Sequence, residues 1–272
     1  KTPLMSKNLY MVPYDFTPIS QKALEYALHL GKHVHTEIKL VHLSKDKPSG
    51  KAMLKKLDEV RDNTNVPPGV EITSCVRVGS IFTDIGKLAK KEGAQLIIMG
   101  THGKRGLQRF FGSHAMKVIT SAECPFLIVQ KNTQIVELKK IVVPIDLTKE
   151  SLQIVNIAGD IARMYDANIS VLAEKQTDQI LNTRLKNRIS IVSKQYEERD
   201  INAKIEIVKN SGAYRKKVMT FAKNNQIELI AIAYHTESLL PQFDKFAQGL
   251  ITNKLGLPVL VVNSKLASAL YF

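Results

Sequence analysis

A glycine-rich segment between residues 100 and 113 has the composition of a phosphate-binding loop. It begins with Gly100-Thr101-His102-Gly103, continues through the basic residues Lys104, Arg105 and Arg109, and ends at Gly112-Ser113. Glycines let the backbone take positive φ and bring its N–H groups against an anion. A helix that starts at the end of the segment would add free N–H groups and a partial positive charge. The segment matches neither the Walker loop nor the dinucleotide-binding G-x-G-x-x-G loop.

A second polar group, Pro13-Tyr14-Asp15, follows the first apolar run of the chain. The Asp15 carboxylate suits the hydroxyl groups of a ribose, but it could equally brace its own loop. The glycine-rich segment has plain alternatives of the same kind. Gly100 and Gly103 could form only a tight turn, Gly112-Ser113 could be only a helix start, and His102 could touch a phosphate or merely pack.

Other residues whose side chains could bind a metal or react give weaker signals. His29 and His33 are four residues apart on a predicted helix, a spacing that two metal ligands can use, with His35 just beyond. We interpret them as an exposed helix end and predict no metal site. Two cysteines are too few for a disulfide framework; Cys75 is expected to be buried, and Cys124 has no basic partner that the sequence identifies. We predict no catalytic residues.

Alternating strand and helix patterns surround these residues and predict an α/β fold. The strands are rich in Ile, Val and Leu without polar alternation, as expected for a parallel sheet that helices cover on both faces. Ligands of such sheets bind beyond the carboxyl ends of the strands, at the topological switch point. Asp15 and the glycine-rich segment follow the first and fourth strands, so we expect them to meet there. The predicted strands are 9–14, 38–43, 70–78, 95–99 and 126–129, then 140–145, 168–173, 203–208, 227–232 and 258–262.

The chain contains an internal repeat of about 130 residues. Residues 9–17 recur as residues 140–148, at an offset of 131, and the fourth and fifth strands recur at an offset of 133. The sequence therefore predicts two related domains, 1–134 and 135–272. The second domain keeps Asp146 at the position of Asp15. It has Ala233, Thr236, Lys245 and Phe246 in place of the glycines and Ser113, so we expect no phosphate site there.

Composition limits the class of protein. The chain has 272 residues and a net charge of +14. Because 44% of the residues are hydrophobic, a wholly disordered chain is excluded. The apolar runs are too short for a bilayer-spanning helix, and no signal peptide is evident, so we expect a cytoplasmic protein without a membrane. Basic residues outnumber acidic ones by 20 to 11 up to residue 134 and by 19 to 14 beyond it. They lack interleaved aromatic residues, so we expect a solvated basic surface rather than a nucleic-acid partner.

Three motifs resemble the universal stress protein family in a tandem, two-domain form. They are Val12-Pro13-Tyr14-Asp15-Phe16-Thr17, Leu40-Val41-His42-Leu43, and Met99-Gly100-Thr101-His102-Gly103 with its continuation to Gly112-Ser113. The ATP-binding branch of that family carries the pattern G-x2-G-x9-G-[ST]. In this chain the first two glycines fit, and eight residues separate Gly103 from Gly112. The resemblance covers nearly the whole chain.

The resemblance implies two flavodoxin-like (adenine nucleotide alpha hydrolase-like) α/β domains. Each has a five-stranded parallel sheet of order 3-2-1-4-5. The fifth strands of the two domains meet across the interface of an intramolecular pseudo-dimer. Association of two chains into a homodimer is a further possibility. It further implies an adenine nucleotide site in the first domain, with the triphosphate near the glycines. The residues implied at this site are Pro13, Tyr14, Asp15, Leu43, Met99, Gly100, His102, Gly103, Gly112, Ser113 and His114.

The expected function is that of a stress-response or regulatory protein that binds ATP or another adenine nucleotide in its first domain, with Mg²⁺ as an optional companion. The alternative is a nucleotide-free interaction protein whose two related domains present a surface to protein partners, which the sequence does not identify. Slow ATP hydrolysis is the third reading, although no general base or Walker-type metal ligand is evident.

Overall fold

The computed structural model of the protein describes residues 8–101, 118–119, 122–148, 150–234 and 241–263. The chain forms two compact units, Lys1–Lys131 and Asn132–Phe272. The boundary lies three residues before the seam at residue 134 that the repeat predicts. Among the described residues, none of the helices has the length and apolar character needed to cross a membrane.

The described part of the first unit contains a sheet of five strands. Their order is β3-β2-β1-β4-β5, and every neighbouring pair is parallel, which confirms the predicted order 3-2-1-4-5. Helix α1 packs against β4 and β1, and α2 packs against β3 and β2. The elements are β1 (Asn8–Pro13), α1 (Pro18–Gly31), β2 (Thr36–Ser44), α2 (Lys47–Asp62), β3 (Val70–Val78), α3 (Ile85–Glu92), β4 (Leu96–Thr101) and β5 (Phe126–Gln130).

Local sequence explains where the first strand ends and α1 begins. Tyr10, Met11 and Val12 in β1 are almost fully buried, as expected for a central strand covered on both faces. The Thr17 hydroxyl accepts a hydrogen bond from the Ser20 N–H at 3.4 Å and caps α1, with Pro18 in its first turn. Both roles follow from the sequence, because a hydroxyl satisfies an exposed N–H and proline has none to satisfy.

The described part of the second unit contains a sheet of the same design. Its five strands have the order β8-β7-β6-β9-β10, and each neighbouring pair is parallel. Counted from β6, this order is again 3-2-1-4-5. The elements are β6 (Lys140–Ile145), the 3-10 turn Glu150–Leu152, α4 (Gln153–Tyr165), β7 (Asn168–Glu174), α5 (Gln179–Glu197), β8 (Ala203–Val208), α6 (Tyr214–Asn224), β9 (Leu229–Tyr234), α7 (Pro241–Ile251) and β10 (Val259–Asn263).

The place of Gly100 differs from the prediction. The fourth strand continues to Thr101, so Gly100 lies inside β4, where it pairs with Val129, rather than in the loop after it. The backbone there is outside the left-handed region. Glycine is needed because a Cβ atom would lie 2.4 Å from the carbonyl oxygen of Ile19 on α1. Gly100 therefore serves the close packing of a helix on the sheet, not a turn with positive φ.

Candidate functional site

The first unit has a cavity of about 450 Å³ at the carboxyl ends of β1, β2, β3 and β4. It includes the switch point between β1 and β4, where open α/β sheets bind their ligands. Six of the predicted site residues line it: Pro13, Tyr14, Asp15, Leu43, Met99 and Gly100. The other five, His102, Gly103, Gly112, Ser113 and His114, lie outside the described residues.

The walls of this pocket are mostly apolar. Eight apolar side chains line it: Pro13, Ile19, Val41, Leu43, Ile81, Phe82, Met99 and Val118. The polar side chains at the pocket are fewer: Asp15, Ser20, His42, Lys45 and Ser80. A concave apolar site with a small number of polar groups suits a flat organic ring that carries polar substituents.

Asp15 braces the loop after β1. Its Oδ1 atom accepts hydrogen bonds from the Thr17 N–H at 3.2 Å and from the Thr17 hydroxyl at 2.5 Å. Asp146 makes the same two bonds to Thr148 in the second unit. The brace is thus common to both units and cannot by itself mark a ligand site. Asp15 is exposed, and its Oδ2 atom has no hydrogen-bond partner among the described residues.

Three aromatic side chains, Tyr14, Phe16 and His42, lie close together beside Asp15. The Phe16 ring lies edge-on to Tyr14 at 5.5 Å between centroids and 5.2 Å from the His42 ring. The His42 Nδ1 atom lies 2.8 Å from the Tyr14 carbonyl oxygen. Because a carbonyl only accepts, Nδ1 carries the proton and donates it. The Tyr14 hydroxyl donates to Gln21 at 2.6 Å. Burial and the nearby carboxylates of Asp15 and Glu25 raise the pKa of Tyr14.

The loop after β3 forms a wall of the pocket that the sequence reasoning missed. The Asp84 Oδ2 atom accepts from the Ser80 N–H and from the Thr83 hydroxyl, each at 2.8 Å. These bonds lower the pKa of Asp84 and hold the loop. A Cβ atom on Gly79 would lie 2.6 Å from Asp84 Oδ2, which explains the glycine. The sequence carries a signal for this loop, because Gly79-Ser80 directly follows the third strand, and α3 begins only at Ile85.

Two aromatic side chains lie at the corresponding end of the second sheet. Phe246, which the repeat places at the position of Ser113, stacks on Tyr214 with the ring centroids 5.6 Å apart and the planes 5° from parallel. The Tyr214 hydroxyl contacts the backbone at the ends of β6 and β7. In the described part of the second unit, an aromatic side chain therefore contacts the backbone of β6 and β7 on the carboxyl side.

The two thiols have no features of nucleophiles. Burial raises the pKa of Cys75 above its usual value and that of Cys124 to about 12. Both thiols are protonated at neutral pH, and a protonated thiol is a poor nucleophile.

The fold and the position of the cavity define a class of protein. The chain has two α/β domains, each with a parallel sheet, and the first has a pocket at the edge of the sheet where such folds bind ligands. Comparison with known proteins gives the family. The profile of the universal stress protein family matches residues 10–130 and again residues 137–263. The chain belongs to the universal stress protein family, with two copies of its domain, which confirms the resemblance found in the sequence.

Individual relatives are similar over one domain or over the whole chain. Universal stress protein MJ0531 of Methanocaldococcus jannaschii is 30% identical over 148 residues, which cover 46% of this chain and 85% of that protein. Universal stress protein YxiE of Bacillus subtilis is 27% identical over 146 residues, or 45% of this chain and 99% of that protein. The crystal structure of a universal stress protein from Archaeoglobus fulgidus covers 96% of this chain and 100% of its own, with a TM-score of 0.72 and 14% identity. At that identity the likeness supports the shared fold alone.

Proposed function

We propose that the first unit binds ATP or another adenine nucleotide and that the protein acts as a cytoplasmic stress-response or regulatory module. The observation that carries the proposal is the pocket at the carboxyl ends of β1, β2, β3 and β4, with Asp15 at the end of β1. Its volume of about 450 Å³ lies within the usual range of small-molecule sites. Membership in the universal stress protein family supports the stress-response part of the proposal.

The apolar part of the pocket suits the adenine base. Leu43 on β2 and Ile81 and Phe82 on the loop after β3 offer flat carbon surfaces. A purine ring that leaves water for such a surface gains free energy in proportion to the apolar area that is buried. The His42 imidazole, fixed by its bond to the Tyr14 carbonyl, stands at the same wall as a polar group of defined orientation.

Asp15 suits the ribose. Its Oδ1 atom is used by Thr17, so the carboxylate cannot rotate freely, and its Oδ2 atom is available on the exposed side. Ribose hydroxyls donate to a carboxylate with the strength of a charge-assisted hydrogen bond. In the first unit, the hydrogen bonds from Thr17 therefore hold the Asp15 carboxylate in position to bind the ribose.

The phosphates are assigned to the glycine-rich segment from its sequence. Lys104, Arg105 and Arg109 lie between Gly103 and Gly112, and all of them are outside the described residues. Asp15 is the one carboxylate among the described residues that line the pocket. Mg²⁺ would therefore arrive with the nucleotide and be held mainly by phosphate oxygens.

The test is calorimetric titration of the full chain with ATP and Mg²⁺. Asp15→Asn keeps an oxygen for Thr17 but removes the negative charge, and Asp146→Asn makes the same change in the second unit. We expect one site per chain, a Kd about 5- to 30-fold higher for Asp15→Asn, from a loss of about 1–2 kcal/mol, and no change for Asp146→Asn. If only Asp146→Asn lost binding, the site would lie in the second unit and the proposal would be contradicted. Absence of binding to the folded wild-type chain would favour the nucleotide-free interaction protein.

A further inference from the structure

The two units differ in how they satisfy one backbone carbonyl. The strand registers pair Pro13 with Val41 in the first unit and Pro144 with Leu172 in the second. The carbonyls of Tyr14 and Ile145 therefore occupy equivalent positions, one residue further on. In the first unit the His42 Nδ1 atom donates to this carbonyl at 2.8 Å. In the second unit Ala173 stands at the position of His42, and its side chain has no donor.

Tyr214 supplies the donor in the second unit. Its hydroxyl lies 3.1 Å from the Ile145 carbonyl oxygen and 2.5 Å from that of Leu172, in the geometry of a shared hydrogen bond. Both residues are buried in the paired strands β6 and β7, where the hydroxyl gives these carbonyls a further donor. Tyr14 and Val41, their counterparts, line the pocket of the first unit. The Tyr214 hydroxyl, which reaches these carbonyls from the first turn of α6, therefore contacts backbone atoms whose counterparts belong to residues that line the first unit's pocket.

An aromatic ring and charged side chains lie near Tyr214. Phe246 of α7 covers one face in a parallel stack with the centroids 5.6 Å apart. Glu174, at the position of Leu43, forms an ion pair with Lys217, which also donates to the Lys209 carbonyl at 2.7 Å. Burial and the nearby carboxylates of Asp146 and Glu174 raise the pKa of Tyr214 well above its usual value. The hydroxyl therefore stays protonated and remains a donor.

We infer that Tyr214 is an internal ligand of the second unit: its ring occupies a latent binding site, and a flat aromatic molecule with a hydrogen-bond donor on its edge can take its place when the ring is removed. Phe246 forms one face of this site, and the carbonyls of Ile145 and Leu172 form its polar end. Phenol is the simplest molecule of this class. The inference rests on the second unit alone, so failure of nucleotide binding in the first unit would leave it standing.

The test is chemical rescue of the full-length Tyr214→Ala variant, which lacks the phenol ring. Thermal unfolding is followed by circular dichroism with phenol, with benzene of similar shape but no donor, and without additive. We expect the variant to have a lower Tm, to recover part of the loss as phenol is added, and to recover less with benzene at equal concentration. Calorimetry should show one phenol site in the variant and none in the wild type. A folded variant that phenol stabilises no better than benzene would overturn the inference.

Tyr196→Ala is the matched control. Tyr196 is also a buried tyrosine, but its hydroxyl has no hydrogen-bond partner among the described residues. A cavity left there should give phenol no advantage over benzene, and an equal advantage at both sites would contradict the inference. Tyr214→Phe keeps the ring and removes only the donor, so it gives a test even if Tyr214→Ala does not fold. We expect its Tm to fall by about 2–8 °C. A phenylalanine variant as stable as the wild type would overturn the inference.

Discussion

Replacing His42 by alanine should destabilise the first unit by an amount that the structure allows us to estimate. The change removes the hydrogen bond from Nδ1 to the Tyr14 carbonyl and the contact with the Phe16 ring. A net hydrogen bond contributes about 1 kcal/mol and an aromatic contact about 0.5–1 kcal/mol. We therefore expect a loss of about 2 kcal/mol in the free energy of unfolding. Urea titration followed by far-ultraviolet circular dichroism measures this loss, provided that the slope of the transition is unchanged.

His42→Asn separates the two contributions. The asparagine amide nitrogen can take the place of Nδ1, so this variant can keep the bond to the Tyr14 carbonyl while it loses the ring contact. We expect it to be about 1 kcal/mol more stable than His42→Ala. If both variants unfold at the same urea concentration, the hydrogen bond does not support the strand end, and the reasoning about this carbonyl is refuted. A His42→Ala variant as stable as the wild type would refute it as well.

Three further outcomes are expected. Gly100→Ala should lower the free energy of unfolding by about 1–3 kcal/mol, because its Cβ atom would lie 2.4 Å from the Ile19 carbonyl oxygen; a urea titration that shows no loss would contradict the packing explanation. Because burial raises the pKa of Cys124 to about 12, its thiol should react with Ellman's reagent at pH 8 at least about 100-fold more slowly than free cysteine until the protein is unfolded. The net charge of +14 should give only weak DNA binding that salt abolishes; sub-micromolar affinity at physiological salt would contradict the expectation of a solvated basic surface.

The fold could be predicted largely because local and repeated signals agree. The first strand recurs at an offset of 131 residues and the fourth and fifth at 133. A strand that lacks polar alternation must be covered on both faces. The alternation with helices then restricts the connections to parallel, right-handed crossovers, from which a sheet like that of β1–β5 follows. Thr17 and Pro18 marked the start of α1 for reasons that act within one turn.

Features that depend on contacts between distant residues could not be predicted in this way. Gly100 resembled a loop glycine, but its role comes from the Ile19 carbonyl, about eighty positions away in the chain. The loop of Gly79 joins the pocket because parallel strands end at the same edge, and the sequence reasoning considered only the first and fourth of those ends. Tyr214 carried no signal at all, because its hydroxyl partner is a backbone carbonyl near residue 145.

Photoaffinity labelling, which locates the bound nucleotide along the chain, is the most direct test of the proposed site. The full chain is irradiated with 8-azido-ATP, digested, and analysed by mass spectrometry for labelled peptides, with excess ATP as competitor. We predict that the label falls on peptides that contain Leu43 or residues 79–82, which form the walls assigned to the base, and that ATP suppresses it. Label on peptides around Ile145 or Tyr214, or label that ATP does not suppress, would contradict the assignment of an adenine nucleotide site to the first unit.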